Sequence, residues 1–477
     1  MKNYDVDVAI LGAGTAGMAA YREARKYTDK IALLDGGTLG TTCARVGCMP
    51  SKLLIASAEA VHRSQHTEQF GVHTGEASID GKAVMQRVRS ERDRFVGFVL
   101  EAVESFDDGH LIRENATFLD DHTLKLSGGR KLTARAIVIA VGSRPAIPPP
   151  FQAAGDRLIV NDDVFDWDDL PESAVVFGAG VIGLELGQSL HRLGVRTRLF
   201  GRDHMVGPLS DPAVREYAAR TFQSEFHTHW HADTKISRDG DKVVVQWQDE
   251  NGSDEESFDY LLAATGRRSN MDSLELGNTS MELCARGIPV YDEMSMRVGD
   301  SQIFIAGDAT ADLPLLHEAA DEGRMAGENA ALLPNAFRRA RRASLGVVFS
   351  DPQIGLAGMG YKALTDSNID FETGEVSFED QGRARVMGIN KGLLHVYAER
   401  STGRLLGAEM IGPAAEHMAH LLAWAIQANQ TVEQILQNPF YHPVVEEGLR
   451  SALRDLNSRL GFGPNPPMRC IDCGPGS

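Results

Sequence analysis

Cys43 and Cys48 lie five residues apart in "TTCARVGCMPSK" (residues 41–52), with Gly47 before the second cysteine and Pro50 after it. Two thiols so spaced permit three chemistries: half of a metal site, two inert packed thiols, or a disulfide that opens and closes. Structural zinc uses two such pairs, and no second pair lies close along the core of the chain, which argues against metal. A loop rich in Thr and Gly argues against inert packing. The stretch "CMPSKLLIASAEAV" turns helical after Pro50, so Cys48 is expected at a helix N-terminus, where open N–H groups and the macrodipole favour a thiolate. Lys52, one turn on, adds positive charge. A redox pair beside a nucleotide-bound cofactor accounts for all of these features.

Such a pair has to be positioned. "VDVAILGAGTAGMAAYREARKYTDKIALLD" (6–35) reads as apolar strand, glycine turn, helix and apolar strand. "SAVVFGAGVIGLELGQSLHRLGVRTRLFGR" (173–202) repeats the plan at an offset of 166 residues, and two copies predict two mononucleotide-binding folds. Gly12 and Gly178 suit the tight turn. Gly14 and Gly180 let backbone approach a pyrophosphate, and Gly17 and Gly183 let helix and strand pack closely. Phosphate is then expected at the helix N-terminus. Asp35 ends the second strand of the first copy, where a carboxylate accepts from ribose hydroxyls; otherwise it is a solvated strand end. The second copy has no acid there, only Gly201 and Arg202. An arginine at that place accommodates a 2′-phosphate, so NADP(H) is favoured over NAD(H), with Arg198 expected on the same strand face as Arg202.

Two further apolar strands end in glycine-basic turns: "ARAIVIAVGSRP" at Gly142 and "FDYLLAATGRRSN" at Gly266. They read as crossings between the nucleotide-binding folds. "SQIFIAGDAT" is another buried strand, ending in Asp308, placed either to meet a ligand hydroxyl or to cap the helix that follows. From about Gly346 the pattern changes to strands alternating with helices, the sign of a separate α+β domain.

The chain has 477 residues, 43% of them hydrophobic, and a formal charge of −18. Length predicts about three domains. The acidic balance argues against nucleic acid and anionic membranes, and the basic run "FRRARR" (337–342) reads as a solvated loop. No apolar run approaches a membrane span and no leader precedes the first strand, so a cytoplasmic protein is expected. With five cysteines in such a chain, any disulfide is expected to be catalytic. Cys284 reads as a small packed residue. Cys470 and Cys473 form a C-x-x-C in a Gly/Pro-rich tail, a redox couple, half a metal site or a passive end.

"GTTCARVGCMPSK" closely resembles the GGTCxNxGCxPSK active-site pattern of the pyridine nucleotide–disulfide oxidoreductases. "GAGTAG", "VGSRP", "GAGVIGLELG", "ATGRRSN", "IFIAGDAT", "FSDPQIGLAG" and "YHPVVEEGL" follow in that family's order, over nearly the whole chain. The resemblance implies FAD at the first nucleotide fold, with Gly12, Gly14, Gly17, Asp35 and, near the ribityl chain, Asp308; NAD(P)H belongs to the second. It implies that Lys52 and Glu185 are the ion pair near the flavin N5, that Cys48 is the flavin-side cysteine and that Cys43 exchanges with substrate. His442 and Glu447 match the acid–base pair that reaches across from the other subunit of a homodimer. Read without the family, His442 is a polar loop residue.

The chain departs from the pattern at Thr41, where a glycine is usual, and at Arg45, where an asparagine is usual. Arg45 is either a cation near the thiols or a surface replacement. The missing acid at Gly201 looks more like the NADPH-dependent reductases of glutathione or mercury, although mercuric reductases lack the histidine matched by His442. The expected fold is α/β, with two Rossmann-like domains and a C-terminal α+β dimerisation domain. The expected divisions are FAD-binding 1–149 and 263–343, NAD(P)-binding 150–262, dimerisation 344–460 and tail 461–477. The expected activity is dihydrolipoamide dehydrogenase-like, acting on a small dithiol or a lipoyl-bearing protein. The alternative is an NADPH-dependent disulfide reductase using Cys470 and Cys473 as a relay. No resident metal is expected.

Overall fold

A computed structural model describes residues 3–75, 77–202, 205–250 and 252–461; Cys470 and Cys473 lie outside the described residues. The chain divides into two compact units, residues 1–50, 86–146 and 266–341 in the first, and 51–85, 147–265 and 342–477 in the second.

In the first unit, β1 (Val6–Leu11) runs parallel between β2 (Ile31–Leu34) and the strand Lys131–Ile139, with Val8 opposite both Ile31 and Ala136. These strands read as unbroken apolar runs because both faces are covered. One face buries Val8, Ile10 and Val138 beneath α1 (Thr15–Ala24) and the helix Leu316–Leu332. The other buries Leu11 and Ile137 against Phe118 and Leu124 of a small antiparallel hairpin. Gly323 and Gly327 allow the close approach of the helices: a Cβ on either would fall 2.2 Å from the backbone oxygen of Ala16 or Ala20 of α1.

The second unit holds a five-stranded parallel sheet, with Ser173–Phe177 between Arg196–Phe200 and Tyr260–Ala263. It also holds a three-stranded antiparallel sheet over 233–258 and a five-stranded antiparallel sheet over 345–412. Helices Ala415–Gln427 and Glu447–Leu460 bury apolar faces, Met418 and Leu422 or Leu449 and Leu453, in the core of that last sheet. Asp211 caps the helix Pro212–Glu225 through Ala213 N and accepts from His395 Nδ1 at 2.8 Å and Tyr397 Oη at 2.9 Å, all buried.

The parallel core of the first unit's mixed sheet, the parallel sheet of the second and the antiparallel sheet over 345–412 give the expected α/β class with a C-terminal α+β part. Two details differ. The helix expected after Pro50 begins earlier, as α3 (Cys48–Gln65), because proline is tolerated in a first turn, where its missing N–H costs nothing. The glycine-basic turns are crossings, since the chain passes between the units at 146/147 and 265/266, but they are also paired: Ser143–Pro145 and Arg267–Ser269 form an antiparallel ribbon within the first unit.

Candidate functional site

Cys43 lies in α2 (Thr42–Val46) and Cys48 opens α3, with only Gly47 (φ −129°, ψ −115°) between the helices. Cys48 is exposed and Cys43 half-buried. Cys48 thus stands at the positive end of an 18-residue helix, as the sequence predicts. Thr41 caps α2, its Oγ1 accepting from Ala44 N at 3.3 Å, with φ +58°. A β-branched residue is strained in that region, and this is the position where glycine is usual in the family pattern. The Arg45 guanidinium folds back on its own loop, donating to Thr38 O at 3.1 Å. Cys284, expected to be packed, is exposed at the tip of a turn closed by Cys284 N donating to Ile288 O and by the bridge of Leu283 to Pro289. Among the described residues no cluster of three or more His, Cys, Asp or Glu could hold a metal ion.

The first glycine turn fits a dinucleotide. Gly12 (φ +105°) has no room for a Cβ, which would lie 2.4 Å from Ala140 O, and Gly17 is packed against Gly12 O. Gly14 faces open space and caps α1 with no side chain on the helix N–H groups, so a pyrophosphate can take them. Asp35 is fixed beside this turn, accepting from Ala13 N at 2.7 Å and Gly37 N at 2.8 Å. Asp308 lies in the turn Gly307–Thr310, its Oδ2 accepting from Ser143 Oγ at 2.7 Å; Ser143 Oγ in turn accepts from Arg267 Nε at 2.8 Å. Ser143 and Arg267 follow Gly142 (φ +67°) and Gly266 (φ +109°), whose left-handed backbone starts the paired ribbon. The supporting role of these two side chains was not read from the sequence, although both stand inside the glycine-basic turns that marked the region.

The second unit repeats the cradle. Gly178 (φ +108°) abuts Ala264 O, Gly183 abuts Gly178 O, and Gly180 faces open space at the cap of the helix Val181–Arg192. At the end of the next strand Arg202 is exposed and bridges to His231. Arg198 does not join it. Its guanidinium pairs with Glu256 and lies 4.8 Å from the Trp247 ring centroid.

Glu185, on that same helix and 4% exposed, accepts from Lys52 Nζ at 2.8 and 2.9 Å and from Phe349 N at 3.0 Å. Lys52 Nζ also sits 4.7 Å from the Phe349 ring centroid. His442 Nδ1 lies 3.0 and 3.1 Å from the two oxygens of Glu447, which also accept from Val444 N at 3.2 Å. The Glu447 side chain is 3% exposed and that of His442 52%. A buried acceptor beneath an accessible ring fixes Nδ1–H and turns Nε2 outward as a proton acceptor.

Residues 6–323 match the family model described as pyridine nucleotide-disulphide oxidoreductase, and residues 344–453 match that family's dimerisation domain. A dihydrolipoyl dehydrogenase of Geobacillus stearothermophilus is 29% identical, over 93% of this chain and 94% of its own. A mercuric reductase of Streptomyces lividans is 30% identical, over 95% and 96%. Among solved structures, LpdA of Mycobacterium tuberculosis superposes with a TM-score of 0.80 at 24% identity, covering 94% of this chain and 99% of that one. The HOCl-induced flavoprotein disulfide reductase RclA of Escherichia coli gives 0.77 at 22%, covering 95% and 99%, which extends the likeness of fold. No helix of the described residues is long and apolar enough to cross a membrane. The chain therefore belongs to the pyridine nucleotide-disulphide oxidoreductase family, FAD-dependent enzymes that use NAD(P)H and act on sulfur groups.

Proposed function

We propose that this protein passes electrons between NAD(P)H and a dithiol or disulfide through Cys43 and Cys48, in the manner of a dihydrolipoamide dehydrogenase. The observation that carries the reading is the placement of the two cysteines in the first turns of consecutive helices, Cys43 in α2 and Cys48 in α3, in the same unit as the Gly12–Gly17 turn and Asp308. FAD, when bound, supplies the two-electron link between nicotinamide and thiols. Gly12, Gly14, Gly17 and the α1 N-terminus hold its pyrophosphate, Asp35 its ribose, and Gly142 and Asp308 its ribityl side. Gly178, Gly180 and Gly183 hold the nicotinamide dinucleotide, with Arg202 at its flank. The division into two nucleotide-binding domains, a dimerisation domain and a tail is part of this reading.

Lys52 and Glu185 serve as the family's flavin-side ion pair. A substrate thiol gives its proton to His442 Nε2, and Glu447 supports the imidazolium. The resulting thiolate attacks the Cys43 sulfur of the Cys43–Cys48 disulfide; Cys48 leaves as a thiolate, stabilised at the start of α3. The second substrate thiol then displaces Cys43, leaving oxidised substrate and a reduced pair. The family's geometry has His442 serve the partner subunit of a homodimer. The sparse cysteines support a cytoplasmic setting.

A second reading, an NADPH-dependent disulfide reductase, is favoured by one observation: Arg202 is exposed at the strand end that lacks an acid. Steady-state rates with NADH and NADPH against lipoamide, glutathione disulfide, thioredoxin and Hg(II) separate the two. Preference for lipoamide supports the first reading; inactivity with lipoamide and turnover of another acceptor contradicts it. Replacing Arg202 by Glu should move preference from NADPH towards NADH, and an unchanged ratio of kcat/KM would remove the cofactor argument.

A further inference from the structure

The run 337–342, expected to be a solvated loop, is a strap across the first unit. Arg338 pairs with Asp292, both contacts at 3.0 Å, and Arg339 with Glu328 at 2.6 Å. Arg341 points inward, its guanidinium donating to Asp312 at 2.8 Å, to Glu318 at 3.1 Å and to Glu322. Glu322 is 3% exposed, and its other oxygen accepts from Gly307 N at 2.7 Å. Gly307 (φ +70°) opens the turn that presents Asp308, and it is wedged where a Cβ would lie 2.9 Å from Ala16 Cβ of α1. One buried carboxylate thus ties the strap to the backbone N–H immediately before Asp308.

We propose that Glu322, held by Arg341, is a positioning residue for the Gly307–Thr310 turn, so that its ionisation governs how firmly Asp308 is presented to FAD. The inference rests on reading Asp308 as a flavin contact. Burial, with repulsion from Glu318 and Asp312, pushes the Glu322 carboxyl up to about 7, against the opposing pull of Arg341 and the Gly307 N–H. Two further titratable groups face the cluster: His317, whose Nε2 lies 3.9 Å from Glu318, and Tyr291, which is pushed up to about 12 by burial and by the charges of Asp312 and Glu322 and so stays neutral through this range. Above about pH 7 the ionised carboxylate makes two charge-assisted hydrogen bonds, one to Gly307 N and one to Arg341. As pH falls it takes a proton and both weaken. FAD binding should therefore be tight on the alkaline side and slacken as pH falls.

The same shift has an opposite sign for stability. A carboxyl whose folded-state value lies above its ordinary one stabilises the fold fully below about pH 4.5, and that contribution is lost as pH rises through about 7. Glu322→Gln should raise the melting temperature at pH 8 while loosening FAD. A residue with only a packing role would lower both.

The test is dissociation of FAD from the holoenzyme, followed by flavin fluorescence on dilution between about pH 6 and pH 8.5, a window set around the Glu322 midpoint. The wild type should lose about fivefold in affinity from alkaline to acid, the order of exchanging charge-assisted for neutral hydrogen bonds. Glu322→Gln should show the weaker value throughout, with no pH dependence. Retention of the wild-type profile, or of wild-type affinity at pH 8, overturns the proposal. Arg341→Lys, which keeps the charge but loses the fork, should move the midpoint upward; an unmoved midpoint also overturns it. Asp308→Asn separates the two layers of the argument. It should weaken FAD at every pH, and if it does not, the flavin-contact reading fails and takes this inference with it. If it does while Glu322→Gln changes nothing, only the inference fails.

Discussion

His442 and Glu447 are joined by contacts of 3.0 and 3.1 Å, and the acceptor is almost wholly enclosed. Glu447→Gln keeps shape but removes the charge that supports an imidazolium. We expect kcat for dithiol oxidation to fall about a hundredfold, with little change in the flavin spectrum. A fall of less than about threefold would show that His442 does not carry the proton. The two residues are legible in "YHPVVEEG" only as types at a spacing; nothing in the sequence shows the burial of one beneath the other. Arg198 teaches the reverse. Even spacing placed it beside Arg202, but β-strand periodicity ends with the strand at Phe200, and Glu256 claims the guanidinium.

At the scale of elements, the two glycine turns and their flanking strands were legible because each step is local: apolar run, left-handed glycine, uncapped helix. The antiparallel sheet over 233–258 and the helix Gly81–Glu104 were not. Charged positions such as "DGDK" and "DEESF" mask the alternation of the former, and the charged run "RSERDR" interrupts the apolar spacing of the latter. Long-range polar ties were equally hidden. Asp211 and His395 lie 184 residues apart yet meet at 2.8 Å, with Tyr397 on the same carboxylate oxygen. Asp211→Ala removes a helix cap and leaves two buried donors without an acceptor. Loss of about 3 kcal/mol of stability is expected, as a drop in denaturant midpoint. A change below about 0.5 kcal/mol would mean that the cluster is not a structural tie.

For the whole molecule, the family and the order of its parts were readable from the sequence, whereas the substrate was not, since the residues that select it have no spacing rule. Residues 344–453 match a dimerisation domain, and the proposed mechanism needs His442 from the partner subunit. Mixing the inactive variants Cys43→Ser and His442→Ala under conditions of subunit exchange should restore about a quarter of wild-type activity, because half of a random mixture is hybrid and each hybrid holds one intact site. No restoration would place His442 and the thiols of one site in the same chain. The central claim, that Cys48 exchanges electrons with the bound flavin, is tested most directly by visible spectroscopy of the purified protein during titration with dithiol. The oxidised protein should be yellow, and one equivalent should add a long-wavelength thiolate–flavin band that Cys48→Ser abolishes. A colourless protein, or a band that survives in Cys48→Ser, would contradict the account.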